Sequence, residues 1–288
     1  MWSIRFATAL LAITLCALGS PRAEAEEAVA APAPPAVTAS WPARVDALYK
    51  ITFNGFEIGD FRFQATVNGS TYALAGNAEI SALLGAFSWS GATRSAGSVS
   101  GDHARPKGYT FDYRANAKGG QIRMNFAEGA VTQVSSYPPS PPLPGAVPVR
   151  DFHLKDVLDP LTAVMAIARG KSSNPCGRKV AIFDGKQRFD LLLSFRRQQR
   201  VAESRPSGQP SIVYVCRVRY IPVAGHRNSE ETREMAANAG IEIALRPVPS
   251  ANLLVPYQIT IPTAAGTAVL TSQRVDIVSG KRQIGLFY

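Results

Sequence analysis

The stretch VDALYKITF-NG-FEIGDFRFQATV, residues 45–67, decides the fold. Val45, Ala47, Tyr49, Ile51 and Phe53 recur at every second position, with polar residues between most of them. Period two marks a strand with one dry face and one wet face. Asn54-Gly55 follows, the strongest short hairpin signal, because a type I′ turn needs positive φ at both central residues. The returning strand carries Phe56 and Ile58 on even numbers, then Phe61, Phe63, Ala65 and Val67 on odd ones. A β-bulge at Gly59-Asp60 reconciles the two phases. A two-residue turn joins antiparallel strands, not parallel ones.

The same grammar runs outward from this hairpin. Asn68-Gly69 makes a second turn, and TYALAGNAEI (71–80) a weaker strand. SALLGAFSWSGATRSAGSVSG (81–101) reads as an apolar turn and then a Gly/Ser-rich strand, curved or irregular. GYTFDYRAN (108–116) puts Tyr109, Phe111 and Tyr113 on one face, and QIRMNF (121–126) repeats the pattern with Ile122, Met124 and Phe126. YPPSPPLPGAVP (137–148) lacks the N–H donors of a central strand and reads as an extended crossing loop. One helix follows, over residues 160–169. Asp159 is its N-cap, Pro160 sits in the first turn, and Gly170 lies just past the end. Leu161, Val164, Met165 and Ala168 form its apolar stripe. Such a short helix needs a surface to lie on, and the dry face of the sheet supplies one.

Strands resume with KVAIF (179–183) and RFDLLLSF (188–195) around Asp184-Gly185, where Phe189, Leu191, Leu193 and Phe195 share a face. SIVYVCRVRY (211–220) puts Cys216 in phase with Tyr214, Val218 and Tyr220. NSEETREMAANAG (228–240) reads as a short helix or a loop, and IEIALRP, PYQITIP and TAVLTSQRVDIV complete the strands. The expected fold is mainly β: a curved antiparallel sheet or open part-barrel with one or two short helices, as one domain over residues 45–288. Alternating β-α units are lacking, which argues against a doubly wound nucleotide fold.

The 288-residue chain carries a formal charge of +10 and three cysteines. MWSIR and the apolar run FATALLAITLCALG, followed by Ala23-Glu24-Ala25, read as a signal peptide over residues 1–25. An uncleaved N-terminal anchor is the alternative. Residues 26–44 are Ala/Pro-rich without period and read as a disordered or extended leader. Cleavage would remove Cys16 and leave Cys176 and Cys216. Two cysteines in an oxidising compartment point to a disulfide closing a loop of about 40 residues. Two free thiols, or a catalytic cysteine with a distant histidine, remain the alternatives at this point.

YKITFNGFEIGDFRF, DVLDPLTAVMAI, the first cysteine with IFDGKQRFDL, and the second with YIPVAGHR together resemble one family: the exported bacterial envelope proteins of domain of unknown function 3108. The resemblance covers residues 45–278. It implies the periplasm of a Gram-negative envelope and a sheet similar to that of periplasmic lipoprotein carriers. It carries no catalytic residues. Lipid binding enters only as analogy from the fold.

The residues suggest few chemical centres. His103, His153 and His226 lack metal-ligand spacing, and no metal site or cofactor is expected. His226 in its Gly- and Ser-flanked loop, or Asp156 beside Asp159, is the candidate for a hydrolase, the least favoured function. The carboxylates read more simply as helix-start charges. Arg62, Arg114, Arg123, Arg217, Arg219 and Arg246 fall on the polar phase of strands: a solvated face, or a basic wall for anionic head groups or glycans. Export argues against nucleic acid. Phe61, Phe63, Trp89, Tyr109, Phe111 and Tyr113 are either core under the helix or the lining of an apolar cavity for a lipid or acyl chain. A non-enzymatic ligand binder is the leading expectation. The alternative is a module that docks on envelope proteins or anionic glycans.

Overall fold

The computed structural model describes residues 41–82, 85–116, 118–169 and 174–288. The signal peptide, the leader up to residue 40 and Gly170 lie outside the described residues. The first half of the domain is a meander: β1 (Arg44–Phe53), β2 (Phe56–Asn68), β3 (Thr71–Ala82), β4 (Phe87–Ser100), β5 (His103–Ala115), β6 (Lys118–Ala127) and β7 (Ala130–Tyr137). After the proline-rich crossing and α1 (Pro160–Ala168) come β8 (Arg178–Phe183), β9 (Arg188–Arg200) and β10 (Ile212–Ala224). Then follow α2 (Glu230–Ala237), β11 (Glu242–Val248), β12 (Leu253–Thr263), β13 (Gly266–Ser279) and β14 (Arg282–Phe287). Ser229 caps α2, so the 228–240 segment holds a short helix.

These strands make one 14-stranded antiparallel sheet in the order β7-β6-β5-β4-β3-β2-β1-β13-β12-β11-β10-β9-β8, with β14 beside β13. The opening hairpin forms as its alternation requires, with Asn54 and Gly55 both at positive φ. The bulge falls at Ile58, one residue before the expected place, where Ile51 pairs Gly59 and Thr52 pairs Glu57. Gly59 is needed there because any Cβ would collide with the Glu79 carbonyl.

The edges β7 and β8 do not pair with each other. A strap of residues 155–158 spans the gap between them. Lys155 bridges Ala130 next to the β6–β7 turn, and the Asp156 N–H donates to the Gly129 carbonyl at 2.8 Å. Two residues on, the Leu158 N–H donates to the Ala181 carbonyl at 2.9 Å, and the Leu158 carbonyl accepts from the Phe183 N–H at 3.0 Å. Val157, between these anchors, is buried with Tyr109, Ile122, Met124 and Phe126 from one side of the gap and Phe183 from the other. The sheet is thus an open part-barrel whose two edges share a core.

Helix α1 plugs one end of the trough. Asp159 is its N-cap, as expected, accepting from the N–H groups of Leu161 and Thr162 at 3.0 Å each. Leu161, Ala163, Met165 and Ile167 are buried against the sheet. Each large apolar side chain so covered stabilises the fold by about 1.5–3 kcal/mol. At the other end of α1 the buried Arg169 pairs with Asp102 at 2.9 Å and donates to the Asn252 carbonyl at 3.0 Å. Its guanidinium lies 4.5 Å from the centre of the Trp41 ring. Trp41 and Pro42, assigned from sequence to the leader, therefore pack on the domain.

Cys176 and Cys216 form the disulfide, with Cα atoms 5.4 Å apart and both residues fully buried. It ties the segment after α1 to the middle of β10. Two features differ from the sequence expectation. Arg246 is not on a solvated face: it is fully buried under the 201–211 loop, paired to Glu203 at 2.9 Å and donating to the Pro210 carbonyl at 3.2 Å. That loop and Tyr288 cover the outer face of β10 and β11 there, which periodicity along one strand cannot reveal. Phe195 does not share the buried face of Leu193: it is 57% exposed, because β8 ends opposite Leu193 and leaves β9 uncovered beyond it.

Candidate functional site

The inner face of the sheet changes character along its length. On β3, Tyr72, Leu74 and Gly76 are buried beside α1, whereas Ala78 and Ile80 beyond it are half-exposed. On β4, Ser95, Gly97 and Val99 are buried but Trp89, Gly91 and Thr93 are not. On β5 the same boundary separates Ala104, Pro106 and Tyr109 from Phe111 and Tyr113, and across the trough it separates Leu193 and Val218 from Phe189, Leu191 and Tyr220. The short helix covers only half of an apolar face. The other half is lined by apolar side chains that water can reach.

Glycines shape that uncovered half. A Cβ on Gly76 would lie 3.1 Å from the Phe61 ring, and one on Gly91 would strike the rings of Trp89 and Phe111. A Cβ on Gly120 would meet the Tyr113 ring at 2.6–2.9 Å. The aromatic rings therefore fold down over glycine backbone instead of standing into the trough. Trp89 and Phe111 have ring centres 6.4 Å apart, and Phe111 stacks on Tyr113 at 5.4 Å.

Between α1 and strands β1, β2, β12 and β13 the trough narrows to a part-open slot of about 100 Å³. Phe61, Phe63, Val164, Met165, Leu253 and Leu270 are among its walls. The Tyr49 hydroxyl in its wall donates to the Pro256 carbonyl at 2.9 Å and the Trp41 indole N–H donates to the Gly101 carbonyl at 2.9 Å, so neither adds a free hydrogen-bonding group. Burial raises the Tyr49 phenol above its ordinary pKa, and Tyr72 and Tyr109 are pushed up to about 12, also chiefly by burial. All three stay neutral at physiological pH, Tyr49 in the slot wall and Tyr72 and Tyr109 in the core beside it.

The six aromatic candidates therefore divide three ways. Phe61 and Phe63 line the slot, while Trp89, Phe111 and Tyr113 form the strip along the open half. Tyr109 lines nothing: it is 6% exposed in the core under the strap. Sequence reasoning missed Trp41, Pro42, Ile259 and Leu270. The alternation of β12 and β13 marks Ile259 and Leu270 as inward. Nothing in the Ala/Pro-rich stretch marks Trp41.

The other candidates do not converge. Asp156 lies at the helix end, beside the β6–β7 turn, whereas the His226 carbonyl accepts from Val147 near the end of β10, at the opposite end of the sheet. His103 is exposed, and His153 Nδ1 accepts from the Arg150 N–H at 3.1 Å. Among the described residues no group of three or more His, Cys, Asp or Glu side chains could hold a metal ion. Arg62, Arg114, Arg123, Arg217 and Arg219 are exposed, as their phase requires. Several charges on the outer face are neutralised locally, Arg44 by Asp46 at 2.6 Å and Arg274 by Asp276 at 2.6 Å.

No curated protein and no solved structure matches this chain. One family does, described as "Protein of unknown function (DUF3108)", over residues 48–272. That span runs from β1 to β13 and contains the strap, the plug helix, both cysteines and most of the trough lining. The chain belongs to the DUF3108 family.

Proposed function

We propose that this protein is a non-enzymatic binder of an apolar ligand, a lipid or acyl chain, acting in the periplasm after export. One observation carries the proposal: the inner face of the sheet stays apolar past the end of α1, where the described residues leave it half-exposed. An apolar cavity of about 150 Å³ holds a benzene-sized molecule. The slot of about 100 Å³ therefore suits the end of one chain, with the remainder lying along the aromatic strip. Native mass spectrometry of the exported protein, before and after organic extraction, tests this. A bound mass removed by extraction is expected. A ligand-free mass, with no uptake of fatty acids or phospholipids by the extracted protein, overturns it.

A second function rests on the edge of β9. Beyond Leu193 that strand pairs only with β10 and presents Phe195, Arg196, Arg197 and Arg200 to solvent. An extended acidic segment of an envelope protein could add there as a further strand. Capture of such a partner by extracted protein, lost when Gln198 becomes proline, would favour docking over ligand carriage.

A further inference from the structure

The turns β1–β2, β3–β4, β5–β6, β8–β9 and β12–β13 all lie at the end of the sheet opposite α1, because every strand pairing is antiparallel. Two of these turns carry exposed rings. Phe56 is 76% exposed and Phe87 is 40% exposed. Phe56 pairs with Phe53 across its hairpin and Phe87 with Ala82 across the next one. The two hairpins are neighbours in the sheet, since Gly59 on β2 pairs Ile80 on β3. Phe87 is in phase with Trp89 and Gly91, so it belongs to the inner face and continues the aromatic strip to the rim.

The geometry points to a lipid bilayer surface as the occupant of this rim: we propose that Phe56 and Phe87 insert into it. Phe56 is the first residue of β2 and Phe87 the first of β4, so both exposed rings stand at the end of the sheet. Exposed aromatic rings suit the headgroup boundary, where apolar bodies are buried to a shallow depth. A second protein copy would instead need a matched concave surface. Charges beside the Phe56 tip are already satisfied, Lys50 by Glu57 at 2.8 Å and Asp60 by Arg62 at 3.5 Å. Insertion at that tip therefore desolvates few free charges and requires no anionic lipid. The rim also opens onto the strip and then the slot, so an inserted mouth lets an apolar ligand pass from bilayer to trough without crossing water. That delivery role rests on the ligand-binding proposal. Insertion itself does not.

Vesicle flotation of the exported protein tests this, with vesicles of phosphatidylcholine alone and of phosphatidylcholine with phosphatidylglycerol. Flotation with both is expected, and added salt should not release the protein. Phe56→Ser and Phe87→Ser should each weaken binding about tenfold, from the lost burial of one ring. Both side chains are exposed, so both variants should keep the wild-type melting curve, and Phe56→Ser, which lies off the strip, should keep uptake of an apolar fluorescent probe. Failure of the wild type to float, or undiminished flotation of the double variant, overturns insertion. So does binding confined to anionic vesicles and reversed by salt, which would assign it to the basic face. Ring-dependent dimerisation without flotation also overturns it, in favour of a second copy. Flotation without any uptake of apolar probe sustains insertion and removes the ligand-binding proposal instead.

Discussion

The Asp159 carboxylate accepts a hydrogen bond from the Ser95 hydroxyl at 2.8 Å, joining the first turn of α1 to the middle of β4. Thr162 donates to the same carboxylate oxygen at 2.6 Å and shares a further bond with Tyr72 at 2.8 Å. The plug is thereby held by polar contacts in a cavity that is otherwise apolar. Asp159→Ala removes the cap and orphans buried donors, at a cost of about 2–4 kcal/mol in chemical denaturation. A loss under about 1 kcal/mol would show that the cap does not hold the helix.

The same carboxyl predicts a pH dependence. Burial raises its pKa, against the bonds from Thr162, Ser95 and Leu161 that pull it down. An acid raised on folding contributes stability that is complete below its unfolded pKa of about 3.9 and is lost as pH rises through the folded value. Asp159→Asn has no such slope. Stability measured from pH 7 down to about 4 should therefore shift in favour of wild type relative to Asp159→Asn. A constant difference across that range contradicts the assignment.

Cys176 and Cys216 should resist maleimide until reduced, because their sulfurs are bonded and buried. Replacing both with serine should lower unfolding free energy by up to about 4 kcal/mol, the chain-entropy figure for a loop of this length. Reaction of both thiols in unreduced native protein would refute the pairing.

Val164 borders the slot from the half-exposed side of α1. Val164→Phe should fill the slot and leave stability within about 1 kcal/mol of wild type, since gain from filling offsets any overpacking. Uptake of acyl probes should fall at least tenfold. Unchanged uptake would place the ligand elsewhere.

Gly91→Val should act on the strip in a different way. The added side chain drives the Trp89 and Phe111 rings upward into the trough. Tryptophan emission should change and probe affinity drop, while the disulfide and the strap remain formed. A variant with wild-type affinity would mean that the strip does not contact ligand.

The strap can be examined at Asp156, a non-glycine residue with φ of +53°. Asp156→Gly should be neutral or slightly stabilising, because glycine adopts that conformation without a Cβ penalty. Asp156→Pro cannot adopt it and also loses the bond to Gly129, so the seam should open by about 3 kcal/mol or more. Hydrogen exchange in β7 and β8 reads this directly.

Alternation along 45–67, the Asn-Gly turns, the capped helix at 160 and the pairing of two cysteines were all readable from the chain. Each follows from local rules: side-chain period, the φ a turn needs, and the orphan N–H groups of a helix start. What closes the sheet was not readable, because the strap joins Gly129 to Ala181 through backbone bonds that leave no side-chain pattern in the sequence. Nor could spacing tell Tyr109 from Phe111, two residues apart on one face. Tertiary structure alone decided that the strap at Val157 covers Tyr109 as core and leaves Phe111 to line an open trough, because the reach of a covering segment over a sheet is set by where its ends are anchored. Arg246 shows the same limit from the other side: its strand phase points outward, and only a loop from elsewhere in the chain turns that position into interior.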